Sequence, residues 1–149
     1  MKIALGSDHG GLNLKNAIKT HLADKGIDVV DMGTHTTDSC DYPVIGQAVA
    51  EEVAAGNVDC GILVCGTGIG ISLAANKVPG IRAAVVSDCF SAEMTKAHNN
   101  ANILALGERV VGIGLGLKIV DTYLATEFEG GRHERRVNLI TEVEAKYNK

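Results

Sequence analysis

Apolar residues fall along this chain in two alternating patterns. Short, mostly apolar runs recur at Lys2-Ile3-Ala4-Leu5-Gly6, Ile27-Asp28-Val29-Val30-Asp31-Met32, Ile62-Leu63-Val64-Cys65, Arg82-Ala83-Ala84-Val85-Val86 and Ile103-Leu104-Ala105-Leu106. Runs of that length are buried strands. Between them the apolar positions space out to three and four residues, the period of a helix with one buried face. Leu14, Ile18 and Leu22 mark a first helix that stops at Gly26. Pro43 opens a second, striped by Val44, Ile45, Ala48, Val49 and Val53 and closed by Gly56. Ser72 to Lys77 and Ser91 to His98 form the next two. Leu115, Ile119, Val120 and Tyr123 mark a fifth, interrupted early by Gly114 and Gly116. After Glu129-Gly130-Gly131, Arg132 to Lys146 form a charged final helix with Val137, Ile140 and Val143 on one side.

Strand and helix in strict alternation, with apolar strands, predict a parallel sheet covered on both faces. The expected fold is α/β: a three-layer α/β/α Rossmann-like domain with a five-stranded parallel sheet and an extra C-terminal helix. No repeat or linker divides residues 1–149, so a single domain is expected. In such folds ligands bind beyond the C-terminal ends of the strands. That rule collects Asp8-His9, Cys65 to Gly70, Ser87-Asp88 and Arg109 along one rim.

The third strand breaks into Gly66-Thr67-Gly68-Ile69-Gly70 and resumes as a helix. A strand, a glycine turn and a helix start direct backbone N–H groups outward, where they favour negative charge. The dinucleotide order G-x-G-x-x-G is not met, because Ile71 or Leu73 stands at its last position. A tight turn without ligand is the plain alternative. Cys65 at the lip of the loop sharpens the picture, since a cysteine beside a helix N-terminus is the usual setting of a reactive thiolate.

Composition narrows the function classes. Aromatics make up 3% and Trp is absent, so platforms for stacking bases are lacking. Net charge is −4, and nucleic acid is not an expected partner. No apolar run approaches membrane-spanning length and the N-terminus does not read as a signal peptide; no membrane partner and a cytoplasmic location are expected. The cysteines at 40, 60, 65 and 89 contain no C-x-x-C. Cys60 and Cys65 on one strand fall on opposite faces about 16 Å apart, too far to share a metal.

Other residues admit two readings each. Asp8-His9 is an acid/base pair or a helix cap. His98-Asn99 is a catalytic pair or ordinary helix-end chemistry. Arg132 and Arg136, four apart, grip a phosphate or form a solvated basic face. His21, His35 and His133 fit no usable pattern.

Taken together, Ser7-Asp8-His9-Gly10-Gly11, Asp41-Tyr42-Pro43, Cys65-Gly66-Thr67-Gly68-Ile69-Gly70, Ala74-Ala75-Asn76-Lys77, His98-Asn99 and Glu129-Gly130-Gly131-Arg132-His133 resemble the type B ribose-5-phosphate isomerases. They are similar also to the subunits of galactose-6-phosphate isomerase. The match runs along essentially the whole chain. It implies a reaction without metal or other cofactor, interconverting D-ribose 5-phosphate and D-ribulose 5-phosphate by proton transfer between C1 and C2. Cys65 would be the base, with the N–H groups of Gly66, Thr67, Gly68, Ile69 and Gly70 holding the enediolate oxygens and Thr67 assisting. His98 would open the furanose ring. Asp8, His9, Tyr42 and Asn99 would bind sugar oxygens, and Arg109, Arg132 and Arg136 the phosphate. Some members use a glutamate just after the loop; Ile71 stands there, so this is the cysteine type.

The rivals are the same chemistry on galactose or allose 6-phosphate and a non-catalytic phospho-sugar module. Topology adds an expectation about assembly. The helix carrying His98 runs back from the rim that holds Cys65, so His98 should end near the opposite rim and serve a partner's site. A homodimer, or a dimer of dimers, with shared sites is expected.

Overall fold

The computed structural model describes residues 1–148. Five strands, β1 (Lys2–Ser7), β2 (Asp28–Asp31), β3 (Cys60–Cys65), β4 (Ala83–Val85) and β5 (Ile103–Gly107), form one parallel sheet in the order β2-β1-β3-β5-β4. Six α-helices connect and cover them: α1 (Leu12–Asp24), α2 (Tyr42–Ala54), α3 (Ile69–Ala75), α4 (Cys89–Ala97), α5 (Glu108–Ala125) and α6 (Arg132–Tyr147). The three-layer expectation holds. The last two strands exchange places relative to chain order, so β5 lies inside and β4 becomes an edge.

Each helix is set by local signals. Gly26, at φ 74°, ends the run after α1, and Pro43 sits in the first turn of α2. The Asp88 carboxylate caps α4 by accepting from Ser91 N–H at 2.7 Å, which starts the helix two residues before the sequence pattern suggested. Asn100, at φ 47°, turns the chain after it, a conformation that asparagine tolerates better than most residues.

Two expectations fail in detail. α3 begins at Ile69, inside the glycine turn, and ends at Ala75, not over Ser72 to Lys77 as expected. The break in α5 lies at Gly112 (φ 69°, ψ −177°), not at Gly114 or Gly116. Gly116 is helical and small for another reason: a Cβ there would stand 2.8 Å from Cδ1 of Leu14, where α1 packs on α5.

β3 is buried along its whole length, as the central strand of a doubly covered sheet must be. Side chains of Ile62 and Val64 face α1, α4 and α5 in one apolar cluster. Leu63 and Cys65 face α2 and α3 in the other. Cys60 belongs to the first cluster and Cys65 to the second, as their odd spacing requires. Burial pushes the Cys60 thiol up to about 11, so it stays protonated and inert. Among the described residues, no helix is long and apolar enough to cross a membrane.

Candidate active site

The sheet order reverses between β1 and β3, and in folds of this kind the crevice for ligands lies beyond the C-terminal strand ends at such a switch point. Cys65 ends β3 with its side chain 5% exposed, and the N–H of Gly68 donates to its Sγ at 3.0 Å. That bond exists because Gly68 adopts φ 80°, folding the loop back over the sulfur. A Cβ on Gly68 would also lie 2.8 Å from the backbone of Leu106, so the position is closed to other residues on two counts. The N–H of Ile69 donates to Thr67 Oγ1 at 3.2 Å, which shapes the same turn.

Neighbouring loops converge on this turn. Asp8 is buried, its backbone N–H donates to Val64 O at 3.3 Å, and its carboxylate accepts from Gly10 N–H at 2.9 Å. The Asp8 carboxylate is thus a cap as well as a neighbour of the crevice. Nδ1 of His9 accepts from Cys40 N–H at 3.2 Å, which leaves Nε2 as the protonated nitrogen of the neutral ring. Tyr42 packs against Gly70, where an added Cβ would meet its Cε1 at 2.6 Å. The guanidinium of Arg109 covers Gly66, and Arg109 N–H donates to Gly66 O at 3.1 Å. Beside the loop, Thr67, Ile69, Val85, Val86, Ser87, Gly107 and Val110 line a cleft of about 270 Å³.

The loop that carries Cys40 and leads to Tyr42 is anchored by a buried ion pair. Lys15 is fully buried, and its Nζ donates to Asp31 Oδ1 at 2.7 Å and to the carbonyl of Thr34. Burial pushes the Asp31 carboxyl up, but the Lys15, Gly33 N–H and Lys19 hydrogen bonds outweigh it and hold the group below the usual carboxylate range.

His98, Asn99, Arg132 and Arg136 lie elsewhere. β5 begins beside Gly61, at the N-terminal end of β3, where Gly61 N–H donates to Asn102 O at 3.0 Å. His98 caps α4 just before that start. Four residues of strand separate Gly61 from Cys65, about 13 Å. His98 is therefore at the opposite rim, as the topology predicted. Arg132 and Arg136 are there with it, because Glu129 N–H donates to Ala97 O at 3.0 Å and brings the start of α6 against the end of α4. Arg109 is the exception among the three arginines, standing at the Cys65 rim.

Two residues at this second rim, Glu129 and His133, stand in the motif that carries the family resemblance but had no expected role. The His133 ring stacks on that of His98, centroids 4.1 Å apart and planes within 5°. Glu129 Oε1 lies 3.8 Å from His98 Nε2 and 3.5 Å from His133 Nε2. Burial, His98 and Arg132 hold the His133 imidazole below its ordinary value, so it is neutral at neutral pH. The available signal was the four-residue spacing of Glu129 and His133.

Five loop N–H groups were expected to face the oxygens of a ligand. Two of the five, those of Gly68 and Ile69, already donate to Cys65 and Thr67.

Residues 3–140 match the model of a family described as Ribose/Galactose Isomerase. The chain belongs to that family. The chain is 51% identical to "Ribose-5-phosphate isomerase B" of Escherichia coli over 147 residues, 99% of each sequence. Ribose-5-phosphate isomerase B of Clostridium thermocellum superposes with a TM-score of 0.98 at 59% identity, covering 99% of this chain and 100% of that one. The enzyme of Mycoplasma genitalium with bound ribulose-5-phosphate superposes at 0.93 with 44% identity, covering 97% of each.

Proposed function

We propose that this isomerase-family protein is a cytoplasmic enzyme interconverting D-ribose 5-phosphate and D-ribulose 5-phosphate through an enediolate. The observation that carries the reading is Cys65 Sγ, held at the end of β3 under a loop of backbone donors. Cys65 takes the C2 proton of the open-chain aldose and returns it to C1. The loop N–H groups not engaged within the turn receive the developing charge, a contribution of about 3 kcal/mol for one well-placed donor. Thr67 assists, its hydroxyl fixed by Ile69. His9 Nε2, Asp8 and Tyr42 face the sugar from the same rim, and Arg109 takes part in holding the phosphate.

His98 opens the furanose by removing the anomeric hydroxyl proton and protonating the ring oxygen. It acts on the site of a second subunit, together with Asn99, Arg132 and Arg136. Two observations support a homodimer built this way. β4 is an unpaired edge with Val85 exposed, and Phe90, Leu139, Ile140 and Val143 are exposed apolar residues. On α6 only Val137 of the predicted apolar side is buried within the chain.

The family description also covers galactose, which keeps a hexose 6-phosphate as the second reading. Turnover of ribose 5-phosphate against galactose and allose 6-phosphates decides between them. The proposal expects the pentose to give the highest kcat/KM; a hexose phosphate turned over faster would replace it.

A further inference from the structure

We propose that His98, Glu129 and His133 form a binding site for a zinc-class divalent ion, and that filling it inhibits the enzyme. Among the described residues these three offer the one cluster of metal-capable side chains, with one donor atom from each lying within 4.8 Å of the others. Four-coordinate zinc with nitrogen and oxygen bonds of about 2.0–2.1 Å has edges of about 3.3–3.4 Å between its ligands. The two edges from Glu129 Oε1, at 3.8 and 3.5 Å, exceed that by only a few tenths. The imidazole edge closes when His98, more than a third exposed at the helix end, tilts out of its parallel stack.

The backbone prepares the site. Glu129 N–H is tied to Ala97 O at 3.0 Å and His133 N–H to Gly130 O at 3.1 Å, so all three side chains converge from fixed positions. Two imidazoles and a carboxylate suit zinc or cobalt, and leave one position open. Arg132 and Arg136 stand close enough to His133 to act on its charge, and they oppose a cation. Their repulsion makes the ion exchangeable, not a part of the fold. Since the metal takes the Nε2 lone pair of His98, it removes that group from proton transfer. This inhibitory consequence rests on the assignment of ring opening to His98; the site itself does not.

The test titrates metal-stripped full-length protein with Co²⁺ while following optical absorption, with isomerase rates measured on the same samples. The expected result is one ion per chain, visible bands of a four-coordinate ion and no thiolate-to-cobalt charge transfer. Glu129→Gln and His133→Gln each weaken binding at least about tenfold. Activity falls with the same midpoint as binding and returns with chelator. Absence of saturable binding, a thiolate band, or unchanged affinity in both variants overturns the site. Stoichiometric binding at unaltered rate overturns the inhibition, and with it the ring-opening role of His98, while leaving the site standing.

Discussion

The two rims of the sheet are built differently, although both carry residues of one proposed reaction. At the Cys65 rim the groups are held from below: Cys65 and Asp8 are buried, each with a backbone donor. The loop beside them is clamped by the buried Lys15–Asp31 pair. At the other rim, Asn99, Arg132 and Arg136 are exposed and His98 is only half-buried. The apolar side of α6 next to them is largely uncovered. One rim holds its groups rigidly with contacts from its own chain, whereas the second presents its groups outward. The proposed second copy, docked so that each outward set meets the other's crevice, would satisfy both.

Each rim can be broken separately. The largest effect belongs to Cys65→Ala, which should lower kcat by at least about 100-fold, the ordinary worth of a positioned base. Sugar-phosphate binding, measured by calorimetry, should persist. Retention of more than about a tenth of the wild-type kcat, a barrier change under about 1.4 kcal/mol, would show that another group takes the proton.

Next comes Lys15→Met. Removing one partner of a buried pair typically costs 3–5 kcal/mol, and Lys19 still reaches Asp31 Oδ2 at 3.2 Å, so about 3 kcal/mol is expected in urea denaturation. KM should also rise, because the loop that carries Cys40 and leads to Tyr42 loosens. A stability change under about 1 kcal/mol would mean that the clamp is dispensable.

The exposed rim should behave in the opposite way. Arg136→Ala is expected to leave thermal stability unchanged and raise KM about tenfold, or about 1.4 kcal/mol of phosphate binding. A fall in melting temperature without a change in KM would make Arg136 structural.

The smallest effect is on acid stability. The Asp31 carboxyl is held below its ordinary 3.8, so it favours the folded state above that value. Its support is lost as pH falls from about 4 through the lower folded value. Denaturation curves of Asp31→Asn should therefore be less stable than wild type at neutral pH and converge on it toward pH 2. A constant difference across that range would deny the linkage.

Much of this division was legible in the residues. Short apolar runs gave the five strands, three-to-four spacing gave most of the helices, and the run-back of α4 placed His98 opposite Cys65. What was missed depends on contacts between distant segments. Gly116 looked like a helix breaker, but Leu14 of α1 demands its small size while Gly112 takes the bend. The inward position of β5 follows from how α4 crosses the sheet, which no local pattern encodes. Glu129 and His133 meet His98 only because Glu129 N–H finds Ala97 O. Within the loop, the pattern of glycines announced close approach, but not that Cys65 itself would take the Gly68 N–H.

The division between the rims is tested most directly by mixing two damaged proteins. Cys65→Ala retains an intact outward set, and His98→Asn retains an intact crevice. Subunit exchange should form mixed dimers with one whole site and one doubly damaged site. Random exchange makes about half the dimers mixed, so activity should recover to about a quarter of wild type. An activity no higher than that of the two variants measured apart, with exchange verified by mass spectrometry of tagged chains, would contradict the shared site and return His98 to its own chain or to no catalytic role.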